Sequence, residues 1–116
     1  RMVYRKWLVA WTVSQDLMAQ FDYFPRGGAT GYWLNCQTDY LSDLPSCFVV
    51  PLIPMASAPK AIRMLNPVFD IGGEQFFMLT EQAGPIPASE LRQPSGSLES
   101  YRHIITNALD FLITGV

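Results

Sequence analysis

"PVFDIGGEQFFMLTE", residues 67–81, is the stretch whose reading decides the fold. Two strand-like runs flank Gly72 and Gly73, and a two-residue glycine connection supplies the positive φ angles of a tight hairpin. On the N-terminal side, "PMASAPKAIRML" (54–65) holds two prolines and small residues, a loop with one helical turn at most. "CFVVPLI" (47–53) is β-branched and apolar, a buried strand that Pro51 interrupts or places at an edge. "GYWLNCQT" (31–38) puts Tyr32, Leu34 and Cys36 on one side and Trp33, Asn35 and Gln37 on the other, the period of a half-buried strand. Between these two, "DYLSDLPS" (39–46) is a loop that nevertheless carries Tyr40, Leu41 and Leu44. "PRGGAT" (25–30) is a turn, and "AQFDYF" (19–24) is an aromatic-rich strand.

On the C-terminal side, "GPIPASEL" (84–91) reads as a short edge strand protected by Pro85 and Pro87, and "RQPSGS" (92–97) as a flexible connector. "SLESYRHIITNALDFLITGV" (97–116) reads as a helix with Ser97 as N-cap, Glu99 at the positive end of the dipole and Gly115 at the stop. Leu98, Tyr101, Ile105, Ala108 and Leu112 form one apolar stripe, while Ile104, Phe111 and Ile113 lie off it and ask for a second burial partner. Short antiparallel strands followed by one C-terminal helix predict a mainly β domain, a small barrel or curled sheet with the helix packed on it.

A chain of 116 residues, 49% hydrophobic and 16% charged, is one ordered domain. Its charge of −2 is unevenly spread. Residues 1–17 carry Arg1, Arg5 and Lys6 against Asp16; residues 18–116 carry five cations and nine anions, net −4. That surface opposes a nucleic-acid backbone and suits a cationic protein partner. No run approaches the roughly 18 apolar residues of a membrane span. Residues 1–17 imitate a signal peptide, but no small-residue cleavage site follows the apolar run 7–13. They are read as an N-terminal extension, an upstream read-through or a disordered appendage, with the domain proper at 18–116.

Catalytic signatures are weak. "RGGATG" (26–31) lacks the Lys-Ser/Thr ending of a phosphate loop and leads into a strand. His103, the one histidine, falls mid-helix, and Cys36 with Cys47 read as buried small hydrophobes; together they fall short of a zinc set. Asp39 with Asp43, and Asp70 with Glu74, sit in a loop and at a turn where carboxylates are solvated. No catalytic residue, metal or cofactor is expected. The apolar excess lies instead at Tyr40 and Leu41 and at the helix end, the mark of a protein interface.

"FVVPL", "LNPVFDIGGEQFFMLTEQAGPIPASEL" and "ITNALDFLITGV" resemble the CcdB family of toxin–antitoxin toxins, through Leu65, Pro67, Ile71, Gly72, Met78, Thr80, Pro87 and Leu91 and a helix ending in Gly plus a β-branched residue. "MAQFDYFP" resembles that family's first strand, which makes Met18 the expected start; the likeness covers residues 18–116. The resemblance implies a five-stranded SH3-like barrel (the CcdB/MazF-like fold) with an accessory sheet and a long C-terminal helix, forming a twofold homodimer in the bacterial cytoplasm. It implies a non-enzymatic poison of a type II topoisomerase that serves plasmid maintenance. The helix end enters the DNA gyrase A subunit and traps the gyrase–DNA cleavage complex. A cognate CcdA-like antitoxin neutralises the toxin and joins it in repressing their operon, so DNA is met only through antitoxin or gyrase. The implied gyrase-binding residues are Thr114, Gly115 and Val116, supported by Ile113 and Asp110, with Tyr40 and Leu41 beside them.

Two departures stand out. The best-studied family ending is Trp-Gly-Ile, and Thr114 takes the aromatic position, although "FLITG" plus a β-branched residue also resembles endings of other members. Ser46 and Cys47 stand where the family often has basic residues. A carboxylate on Val116 would lie at the negative end of the helix dipole, where a cation of the target would meet it. The alternatives are a MazF-like endoribonuclease, which would need a cationic groove, and a degenerate toxin that binds antitoxin but spares gyrase.

Overall fold

The computed structural model describes residues 19–57 and 61–115; the readings of the N-terminal extension and of Val116 lie outside them. Among the described residues, seven strands, β1 (Asp22–Pro25), β2 (Tyr32–Asn35), β3 (Ser46–Pro54), β4 (Val68–Ile71), β5 (Glu74–Met78), β6 (Gly84–Pro87) and β7 (Gly96–Ser97), precede the helix α1 (Arg102–Thr114). All pairings are antiparallel, in the order β4-β5-β3-β2-β1-β7, with β6 also on β3. The sheet curls into a half-barrel, as the sequence predicts, and all seven strands belong to one hydrogen-bonded sheet.

The Gly72 and Gly73 hairpin forms as read. Both glycines have positive φ, 61° and 86°, and Gly73 N–H donates to Asp70 Oδ1 at 3.1 Å. Ile71 faces Glu74 across the turn and Phe69 faces Phe76.

Pro51 neither breaks nor edges its strand; β3 runs through it as the central strand of the sheet. The reason is directional. Residues 48, 50 and 52 turn their backbone groups toward β2, and residues 47, 49, 51 and 53 turn theirs the other way. Pro51 therefore aims its donor-less nitrogen at the gap where β3 changes partner from β6 (Ser46 to Val49) to β5 (Leu52 to Pro54). Its carbonyl is still used, accepting Leu79 N–H at 2.9 Å.

Strand β2 is buried on both faces, not one. Leu34 and Cys36 join the main core with Phe21, Val50, Leu52, Phe69, Phe76, Met78, Leu98, Ile105 and Ala108. On the other face Trp33 packs against a second cluster of Phe24, Cys47, Val49 and Leu91. Both cysteines are free and buried, and burial pushes their thiols up to about 12 (Cys36) and about 11 (Cys47), so they stay protonated and unreactive at neutral pH.

Two readings near the helix need correction. The connector at 92–97 is not wholly irregular, because Gly96 and Ser97 pair with Tyr23 and Asp22 as β7. The helix starts later than Ser97: a single 3-10 turn, Glu99–Tyr101, leads into it at Arg102. Ser97 still caps in kind, its Oγ accepting Glu99 N–H at 3.1 Å. Arg102 then pairs with Glu99 at 3.1 Å and lies over the Phe21 ring at 5.3 Å.

Candidate protein-interaction site

Of the predicted stripe on α1, Leu98, Ile105 and Ala108 are buried, and Leu109 packs partly against the same core. Tyr101 and Leu112, read as stripe members, are instead 44% and 43% exposed. At the N-terminal end Tyr101 makes a ring contact with Phe69 at 5.4 Å. At the other end the helix, which packs on the Thr80–Gln82 turn, runs past its support. That turn is held firmly: Thr80 Oγ1 donates to the Leu65 carbonyl at 2.5 Å, and buried Asn66 donates to Met78 O and to Glu81 Oε1.

The overhang keeps its hydrogen bonds through the last turn. Thr114 Oγ1 donates to the Asp110 carbonyl at 2.7 Å, and Gly115, at φ 77°, donates its N–H to Phe111 O at 2.9 Å. This is a left-handed glycine stop, which a residue without Cβ takes at no steric cost. Ile113 is 78% exposed, Phe111 is half-buried, and Asp110 and Thr114 are exposed. Asp110 and Thr114 are thus brought together through the backbone oxygen of the former. Val116 falls outside the described residues.

Tyr40 and Leu41 belong to a different part of the fold, the 3-10 turn Asp39–Leu41, and are 64% and 47% exposed. A polar lattice fixes that turn. Thr38 Oγ1 accepts Tyr40 N–H, Asp39 Oδ1 accepts Gln20 N–H at 2.9 Å, and Gln37 Nε2 donates to Leu41 O at 2.8 Å. Gln37 Oε1 in turn accepts Phe48 N–H at 3.0 Å, tying the turn to β3. Beneath it buried Asn35 donates to Ala19 O and accepts from Gln37 N–H and from Cys47 Sγ. Leu44 and Phe48 extend the apolar surface beside the turn. The sequence gives no sign that Phe48 faces outward, since the strand around it is apolar throughout.

The carboxyl of Asp22, near the turn, is held above its ordinary value of 3.8, first by burial; the Ala19 amide works against this, while the Asp39 charge adds to the rise. Among the described residues no group of three or more His, Cys, Asp or Glu is placed to hold a metal ion, and no helix is long and apolar enough to cross a membrane.

Among the described residues, a curled antiparallel sheet with one helix packed on it, whose end faces solvent, defines a small β domain. Residues 20–115 match the CcdB protein family model, and the chain belongs to that family of toxin–antitoxin toxins. No curated protein sequence matches it. Among solved structures it is similar to an endoribonuclease from Mycobacterial species, at 13% identity and a TM-score of 0.64, over 84% of this chain and 91% of that one. At that identity the likeness concerns the fold.

Proposed function

We propose that this chain is a gyrase poison without catalysis of its own. Residues 18–116 form the acting domain. A homodimer presents two copies of the α1 end to the DNA gyrase A subunit, with Thr114, Gly115 and Val116 as the contacting tip, Ile113 and Asp110 behind it, and Tyr40 and Leu41 alongside. Binding traps the gyrase–DNA cleavage complex. A CcdA-like antitoxin releases it and represses the operon together with the toxin, in the bacterial cytoplasm.

The observation that carries this reading is the bare helix end. An isoleucine 78% exposed, beside a left-handed glycine stop, leaves apolar surface where a solitary domain gains nothing from it. Thr114, in place of an aromatic, removes a large anchor from the tip; its hydroxyl is instead folded back on the helix. Ile113 becomes the main apolar contact. The test is gyrase-dependent DNA cleavage by the purified protein, with and without residues 114–116. Cleavage that persists after the deletion, in a protein that remains folded, sinks the assignment of the tip.

A second reading is favoured by one observation, the fold likeness to an endoribonuclease. It requires RNA scission at defined sites with no gyrase present. The charge of residues 18–116, net −4, weighs against a surface that gathers RNA.

A further inference from the structure

The sheet ends on β4, whose one hydrogen-bonded partner among the described residues is β5. The two-residue turn makes Ile71 and Glu74 a hydrogen-bonded pair, and alternation then fixes where the other backbone groups of β4 point. Pro67, Phe69 and Ile71 turn theirs toward β5, in keeping with the bond from Met78 N–H to Pro67 O at 2.9 Å. Val68 and Asp70 turn N–H and C=O outward, away from the sheet. Other edges are guarded differently: β6 carries Pro85 and Pro87, and β7 has two residues. β4 contains no proline and no cation.

Apolar side chains flank this edge on both faces. Val68, 40% exposed, stands on the outer face, and the turn leading into β4 adds exposed Ile62 and Met64. On the inner face the Phe69 ring meets Tyr101, and Ile104, three residues further along the helix, is 47% exposed. Asp70 and Glu74, both exposed, make the hairpin end of the edge acidic, while Arg63 lies in the turn at the other end. A second copy of this chain fits poorly. The twofold pairing that uses the outward groups of both Val68 and Asp70 sets the two Asp70 carboxylates on one face as diagonal neighbours, where like charges repel.

We propose that the β4 edge takes an added strand from another protein, an extended segment in which apolar residues alternate with lysine or arginine. The backbone of the segment bonds Val68 and Asp70, its apolar side chains face Phe69, Tyr101 and Ile104, and its cations meet Asp70 and Glu74. A lysine stem covers Val68 while its ammonium reaches Asp70. Neither gyrase nor the helix tip enters this docking, so it stands or falls apart from the gyrase reading.

The probe is a capped heptapeptide of alternating valine and lysine, titrated into the full-length chain and followed by amide NMR and hydrogen exchange. Saturable binding that slows exchange of the Val68 and Asp70 amides at least tenfold is expected. Val68→Pro blocks a nitrogen that faces outward and keeps the bonds to β5, so it should weaken binding at least tenfold in a folded protein. Val68→Lys, which leaves the backbone intact, should do the same through charge. Asp70→Asn together with Glu74→Gln should weaken binding at least threefold at low salt. Absence of binding, or binding that Val68→Pro and Val68→Lys leave unchanged, overturns the proposal. Equal binding of an alternating valine–glutamate peptide overturns it as well. So does protection of the two amides that rises with protein concentration and no peptide present, which would assign the edge to a second copy.

Discussion

Asn35 shows how one buried side chain fixes a surface. It is 3% exposed, and its amide serves the Ala19 carbonyl, the Gln37 amide and the Cys47 thiol at once. Asn35→Leu leaves the Gln37 amide without its acceptor and the Ala19 carbonyl with the Asp22 N–H alone, and a loss of about 1–3 kcal/mol is expected by urea unfolding. The alternation of β2 placed Asn35 opposite Leu34, and that was legible. Its burial was not, because period-two patterning reports which side a residue takes and is silent on whether a second layer covers that side. Asp22 carries a pH effect. Its folded pKa is raised above 3.8, so its stabilisation is complete below that value and is lost as pH rises through the folded value. Asp22→Asn is therefore expected to flatten the decline in stability as pH rises above 3.8 and to leave the protein at least as stable at neutral pH, measured by thermal unfolding from acid to neutral pH.

At the scale of the element, α1 combines a docked middle with an undocked end. A Cβ added at Gly115 meets nothing within 4 Å, yet φ is 77°. Gly115→Ala is thus a purely conformational change, expected to cost about 1 kcal/mol and to fray the last turn, visible as faster exchange of the Gly115-position amide. Ile113→Asp makes the complementary test: stability within about 0.5 kcal/mol of the parent, because the side chain is exposed, with gyrase binding weakened at least tenfold. The helix, its glycine stop and the bare Ile113 were all legible in the periodicity. The start was not. Ser97 has the chemistry of a cap, but its backbone is taken by β1, and no local pattern announces a two-residue strand. Leu112 has the right spacing for the stripe and lacks only a sheet long enough to reach it.

For the whole molecule, strands, turns and their antiparallel order were readable because glycines, prolines and apolar runs act locally. The two-sided packing was not, since it depends on which strands β3 brings together. Met78, fully buried in the main core, is the place to measure that packing: Met78→Ala is expected to cost about 2–5 kcal/mol in urea unfolding. The cysteines set an alkaline limit. Their folded pKa values lie above the ordinary 9.0, at about 12 for Cys36 and about 11 for Cys47. The stability they contribute is complete below pH 9.0 and falls as pH rises through the folded values. Cys36→Ala should make that alkaline decline shallower in equilibrium unfolding.

Pro51 gives β3 a built-in tear line. Because its nitrogen donates nothing, the junction between the β6 and β5 halves of that strand's edge is held at Pro51 by its carbonyl alone, which accepts Leu79 N–H. The β4 and β5 hairpin is then expected to open as a unit, loosening the Thr80–Gln82 turn on which α1 rests. Native-state exchange at low denaturant should show residues 68–78 releasing together at a free energy below that of β2 and the first half of β3. The posture of the helix would then be governed by a breathing hairpin far from it in sequence.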